Sequence, residues 1–178
     1  MTPEAVVNFW IEAGPKRWFA KDDAFDADLR LNFEGAHQSA ARGGFAEWEE
    51  TPDGAMALVL LTDQIPRNIY RNSAHAFATD ARAREVARRA IGRGFDQRFD
   101  ASLRDFLYLP FEHSEDAADQ AHAVALCEAL GDDNYLRFAI LHRDIIARFG
   151  RFPHRNAAMG RVTTPEEQAY LDSGGFAG

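Results

Sequence analysis

Three times the chain opens a segment with threonine, proline and an acid: Thr2-Pro3-Glu4, Thr51-Pro52-Asp53 and Thr164-Pro165-Glu166. A threonine hydroxyl accepts from the orphan amides of a first helical turn. Proline is tolerated there because its missing N–H has no helical partner, and an acid meets the positive end of the helix dipole. Helices are therefore started by local chemistry at both ends of the chain and near position 51. The stops are equally local, at Gly14-Pro15, Gly43-Gly44, Gly92 with Gly94, Gly131 and Gly150.

Between these marks the apolar spacing is helical. The first helix carries Val6, Val7, Phe9, Trp10 and Ile11, with Trp18 and Phe19 folding back onto it. Lys21-Asp22-Asp23 opens a second, whose stripe is Phe25, Leu29, Phe33 and Ala36 or Ala40, the spacing of one helical face. Trp48 falls in a short acidic connector, and the helix from Thr51 runs to Thr62 before Pro66 kinks or stops it. Further helices are predicted over 80–91, over 103–109 ending at Pro110, over 114–130 capped by Ser114, over 134–149 and from Thr164 to Leu171. No segment alternates like a strand. The reading is an all-α fold of seven or eight helices, arranged as antiparallel pairs stacked in a compact superhelix. It is a single helical domain over residues 1–178, with an irregular segment near 150–163.

Charge narrows the partners. A formal net charge of -8 disfavours non-specific contact with nucleic acid or an anionic membrane, and no apolar run reaches the length of a membrane span. The one cysteine, Cys127, can form no internal disulfide and sits in apolar sequence, as a buried thiol does. A cytoplasmic location is expected. No phosphate-binding glycine loop, nucleophile elbow or zinc-binding HExxH occurs, so neither a cofactor nor a metal site is predicted.

Three charged constellations remain. Asp63, Gln64, Arg67, Asn68 and Arg71 cluster around Pro66 directly after a helix that should be buried. They fix a bend as a helix-end network, or Arg67 and Arg71 grip an anion. Glu112 and His113 precede a helix start and can work as an acid–base pair. Between 142 and 161 five arginines face one acid, Asp144, around the turn Arg151-Phe152-Pro153-His154-Arg155-Asn156. This basic turn pairs with the acidic stretch 112–119, or Arg151, His154 and Arg155 converge with Arg67 and Arg71 on a bound anion.

The stretches DQIPRNIYR (63–71), LYLPFEHSED (107–116) and RFGRFPHRNAAMGR (148–161) resemble the signatures of a bacterial family catalogued as domain of unknown function 924. VVNFW (6–10), the WF pair at 18 and 19, FDADLR (25–30) and TPEEQAYL (164–171) extend the likeness along the whole chain. The resemblance implies a tetratricopeptide-like helical superhelix and brings no reaction with it, since fold does not imply function.

The functional expectation is a polar pocket for a small anionic molecule, in a hydrolase or another acid–base enzyme. His113, His154 and Glu112 would be catalytic. Asp63, Gln64, Arg67, Asn68, Arg71, Arg151, Arg155 and Asn156 would line the ligand site. The alternative is a helical-repeat scaffold for a protein partner, with the charged motifs structural.

Overall fold

A computed structural model describes residues 1–176. Among them the chain is all helix and turn. The α-helices are α1 (Pro3–Ala13), α2 (Pro15–Trp18), α3 (Asp23–Ala41), α4 (Pro52–Val59), α5 (Ile65–Ile69), α6 (Asp80–Gly92), α7 (Ala101–Glu112), α8 (Ala117–Leu130), α9 (Asp133–Phe149) and α10 (Pro165–Asp172). Short 3-10 turns cover Ala46–Glu50, Ala74–Phe77, Phe95–Arg98 and Pro153–Arg155, and a π-turn covers Leu60–Gln64. No helix of the described residues is long and apolar enough to cross a membrane.

The three Thr-Pro-acid signatures start helices as predicted. Thr2 Oγ1 accepts from the Ala5 amide, Thr51 Oγ1 from Gly54, and Thr164 Oγ1 from Glu167, whose own carboxylate returns to the Thr164 amide as a capping box. Two boundaries differ from the sequence reading. Helix α7 does not stop at Pro110 but continues to Glu112. The cap of α8 is Asp116, which accepts from Ala118 and Asp119, while the Ser114 hydroxyl donates to Asp119. The reason for the first lies in Gln120. Its buried amide donates to the carbonyls of Glu112 (2.6 Å) and Ser114 (2.7 Å), so the exit from the extra turn is hydrogen-bonded despite the proline.

Packing divides the chain into two compact units, the first being residues Met1–Arg71 with His75–Pro110, the second Asn72–Ala74 with the chain from Phe111 onward. In the first, α4 is the axis, packed against α1 and α6, while α3 packs on α5. Every residue from Gly54 to Pro66 is buried. Gly54 lets the Ala46–Glu50 turn close on this helix, because a Cβ there would strike the Trp48 carbonyl oxygen. Trp18 folds back as expected, its Nε1 donating to Trp10 O at 2.7 Å. In the second unit α8 and α9 form a hairpin joined at Gly131-Asp132, with Gly131 left-handed and Asp132 capping α9. Ile145, Ile146 and Phe152 are its apolar centre, with Leu141, Phe149, Tyr170 and Phe176 against them.

Candidate functional site

The first constellation is built around a break in a buried helix. Pro66 has no N–H, and the π-turn shifts the Ile65 amide to Leu60 O, so carbonyls at the break need other donors. Side chains supply them. The Thr79 hydroxyl donates to Thr62 O (2.6 Å), His37 Nδ1 to Leu61 O (2.7 Å) and Arg67 Nη1 to Asp63 O (2.7 Å). Arg67 also clasps Asp80 with both terminal nitrogens, at 2.8 and 3.0 Å, and stands 3.2 Å from the Asp63 carboxylate. Burial works against the charged guanidinium, but Asp63 and Asp80 outweigh it and hold its pKa above the ordinary arginine value. Gln64 donates to Asp63 at 2.6 Å. Arg71 and Asn68 converge on Asp26, through Arg71 Nε (2.5 Å) and Nη2 (3.1 Å) and Asn68 Nδ2 (2.8 Å). All of these partners belong to the first unit.

In the second unit the basic turn is held by two glutamates. Glu167 accepts from Arg151 Nε (2.6 Å) and Nη2 (2.8 Å), from Asn156 Nδ2 (3.2 Å) and from the Thr164 amide (2.8 Å). The Arg151 guanidinium above all, then the Thr164 amide, pulls its carboxyl down to about 2. Glu115 accepts from Arg161 (2.7 and 3.0 Å) and from the Phe152 amide (2.8 Å). Its burial favours the neutral acid, yet Arg161 and that amide prevail and its pKa is lowered. The Arg155 guanidinium carbon lies 4.5 Å from the centroid of the fully buried Phe152 ring. The acidic stretch thus does pair with the basic turn, through Glu115, but the ligand of Arg151 is Glu167 on α10.

The remaining predicted residues gather around a histidine that the spacing argument did not select. His142, buried on α9, places Nδ1 2.8 Å from Phe138 O and 3.5 Å from the buried Glu112 carboxylate. A nitrogen that close to a carbonyl carries the proton, which makes Nε2 the basic atom of the neutral ring. The other Glu112 oxygen accepts from Cys127 Sγ at 3.4 Å. His113, half-buried, has its ring centroid 6.2 Å from that of His142. His154, also half-buried, stacks at a tilt on Phe152 (5.6 Å) and meets Phe176 edge to face (5.4 Å), and Phe176 in turn lies 4.7 Å from His142. Glu112, His113 and His154 are therefore brought into one neighbourhood, with His142 as the link. Its signal was available in His142-Arg143-Asp144, a polar triplet inside an apolar helix.

Asp26, Asp80 and Glu167, the carboxylates that hold Arg71, Arg67 and Arg151, were also not selected from the sequence. Asp26 stands in FDADLR, Asp80 at the start of α6 and Glu167 at the third position of a capping box.

Among solved structures, the chain is similar to a protein of unknown function from Agrobacterium tumefaciens. The identity is 49%, over 96% of this chain and 97% of the other, with a TM-score of 0.93. No curated protein matches the chain. A family model described as a bacterial protein of unknown function, DUF924, matches residues 6–175, which include all three constellations and the histidine cluster up to the glycine before Phe176. The chain belongs to that family.

Proposed function

We propose that the second unit houses an acid–base site in which His142 transfers the proton, Glu112 orients and charges it, and His113 and His154 stand at its half-buried edge. The observation that supports this is the His142 ring, fixed by a hydrogen bond beside a buried carboxylate. Phe138 O sets its tautomer, and the Glu112 carboxylate, 3.5 Å from Nδ1, stabilises positive charge as Nε2 takes a proton. A buried acid and base held in this order serve hydrolysis or another reaction limited by proton transfer. In this reading Arg67, Arg71 and Arg151 are structural clamps, each already holding a carboxylate that an incoming anion would have to displace.

The test is turnover of a panel of acyl and phosphoryl esters by the intact chain and by His142→Asn. The wild type is expected to hydrolyse at least one class. The variant should lose about 10²–10⁴-fold while keeping its fold by circular dichroism. Equal turnover in the two proteins, or none from either, removes the proposal.

The scaffold reading has one observation in its favour. Three of the four arginines first assigned to a ligand are satisfied within their own units, as structural motifs would be. A protein partner would then use the outer helical faces.

A further inference from the structure

Phe176 is not held like a core residue. It follows Gly174, whose φ of 83° is left-handed, and Gly175, where a Cβ would come within 2.6 Å of the Tyr170 ring. This glycine pair turns the chain back after α10, so that the Phe176 ring reaches His142 and His154. Its amide donates to the Tyr170 hydroxyl at 2.9 Å. The ring itself is half-buried. It packs beside Ile145, Ile146 and Phe152, and meets both imidazoles edge to face, at interplanar angles of 66° and 80°. That geometry is one that aromatic rings prefer, and it is specific to a flat π-face.

We propose that Phe176 is an internal occupant of a ligand slot, and that the slot receives a planar aromatic ring presented to His142 and His154. A ligand ring would reproduce the two edge-to-face contacts and the apolar floor. Ser173, Gly174 and Gly175 are tied to the last turn of α10, through Ser173 N to Ala169 O (3.1 Å), Gly174 N to Leu171 O (3.1 Å) and Gly175 N to Tyr170 O (3.0 Å). Phe176 therefore swings aside on its own, past this turn, without disturbing α10. The slot stands on geometry alone, while what it does to the ligand rests on the acid–base reading above. A neutral ring suits it, because the residues packed with Phe176 are the apolar Ile145, Ile146 and Phe152.

The experiment follows the imidazole ring signals of His142 and His154 by NMR as p-cresol is added to the full chain, to Phe176→Ala and to Phe176→Leu. An internal occupant that fills the slot nine-tenths of the time weakens the apparent affinity about tenfold. Phe176→Ala is therefore expected to bind p-cresol about tenfold more tightly than wild type, with saturable shifts at both histidines. Phe176→Leu keeps apolar contact with the floor but has no ring face, and should also bind more tightly than wild type. It decides the matter if the alanine variant loses its dispersed spectrum. The inference is overturned if neither folded variant gains affinity, or if the shifts fall elsewhere. Cresol binding with no ester turnover would sink the acid–base reading and leave the slot. His142-dependent turnover with silent cresol titrations would do the reverse.

Discussion

Glu167 shows how much a single side chain does here. It closes the capping box of α10, clamps Arg151 and reaches Asn156, so one carboxylate ties a helix start to the basic turn. Its pKa falls from the ordinary 4.5 to about 2 in the folded protein. The unfolded chain therefore takes up this proton first as pH drops. The stabilisation is whole above about 4.5, erodes between there and about 2, and is gone below. Glu167→Gln is expected to lower stability at neutral pH and to flatten the acid limb in that window. Urea midpoints across the window check this, and parallel curves for the two proteins would contradict it. Arg67 gives the complementary case. It is largely buried, with 18% of its side chain exposed, and Asp80 is its bidentate partner. Asp80→Ala should cost roughly 3–5 kcal/mol, as a buried charge left short of its partner does. Asp80→Asn, which keeps one acceptor, should cost less. Chemical denaturation of the three proteins gives the order.

At the scale of elements, the π-turn Leu60–Gln64 is the least helical part of the most buried segment, and side chains from elsewhere compensate it. Thr79 stands in for the donor that Pro66 lacks. Thr79→Val should destabilise by about 1 kcal/mol, the net value of one hydrogen bond. The same change made on Pro66→Ala should cost less, because an amide at 66 competes for those carbonyls. Additive costs in that double-mutant cycle would show that the two are unrelated. Helix α4 carries a second element-scale constraint in Gly54. Gly54→Ala forces a methyl onto the Trp48 carbonyl and is expected to cost about 1–3 kcal/mol, read as a lowered melting temperature. Thr51→Ala at the same helix start should cost only about 1 kcal/mol, since it removes a cap without creating a clash.

Over the whole molecule, what could be read from the sequence was what is decided within one helical turn. The caps at Thr2, Thr51 and Thr164, the stripe Phe25–Leu29–Phe33 and the all-α class follow from neighbours in sequence. Helix ends went astray where a distant group intervened, as when Gln120 caps the turn beyond Pro110. The charged motifs were visible as motifs, but their partners were not. Asp26 is 45 residues from Arg71 and Glu115 is 46 from Arg161, and no periodicity points across such gaps. His142 was passed over because only folding sets Glu112 beside it. The central claim is that the arginines hold the structure while this histidine does the work. One measurement separates the two: ester turnover and melting temperature recorded together for wild type, His142→Asn and Arg151→Gln. The account predicts that His142→Asn loses turnover with its melting temperature nearly unchanged, and that Arg151→Gln melts earlier yet turns over normally while folded. Turnover that survives in His142→Asn and vanishes in folded Arg151→Gln would contradict it.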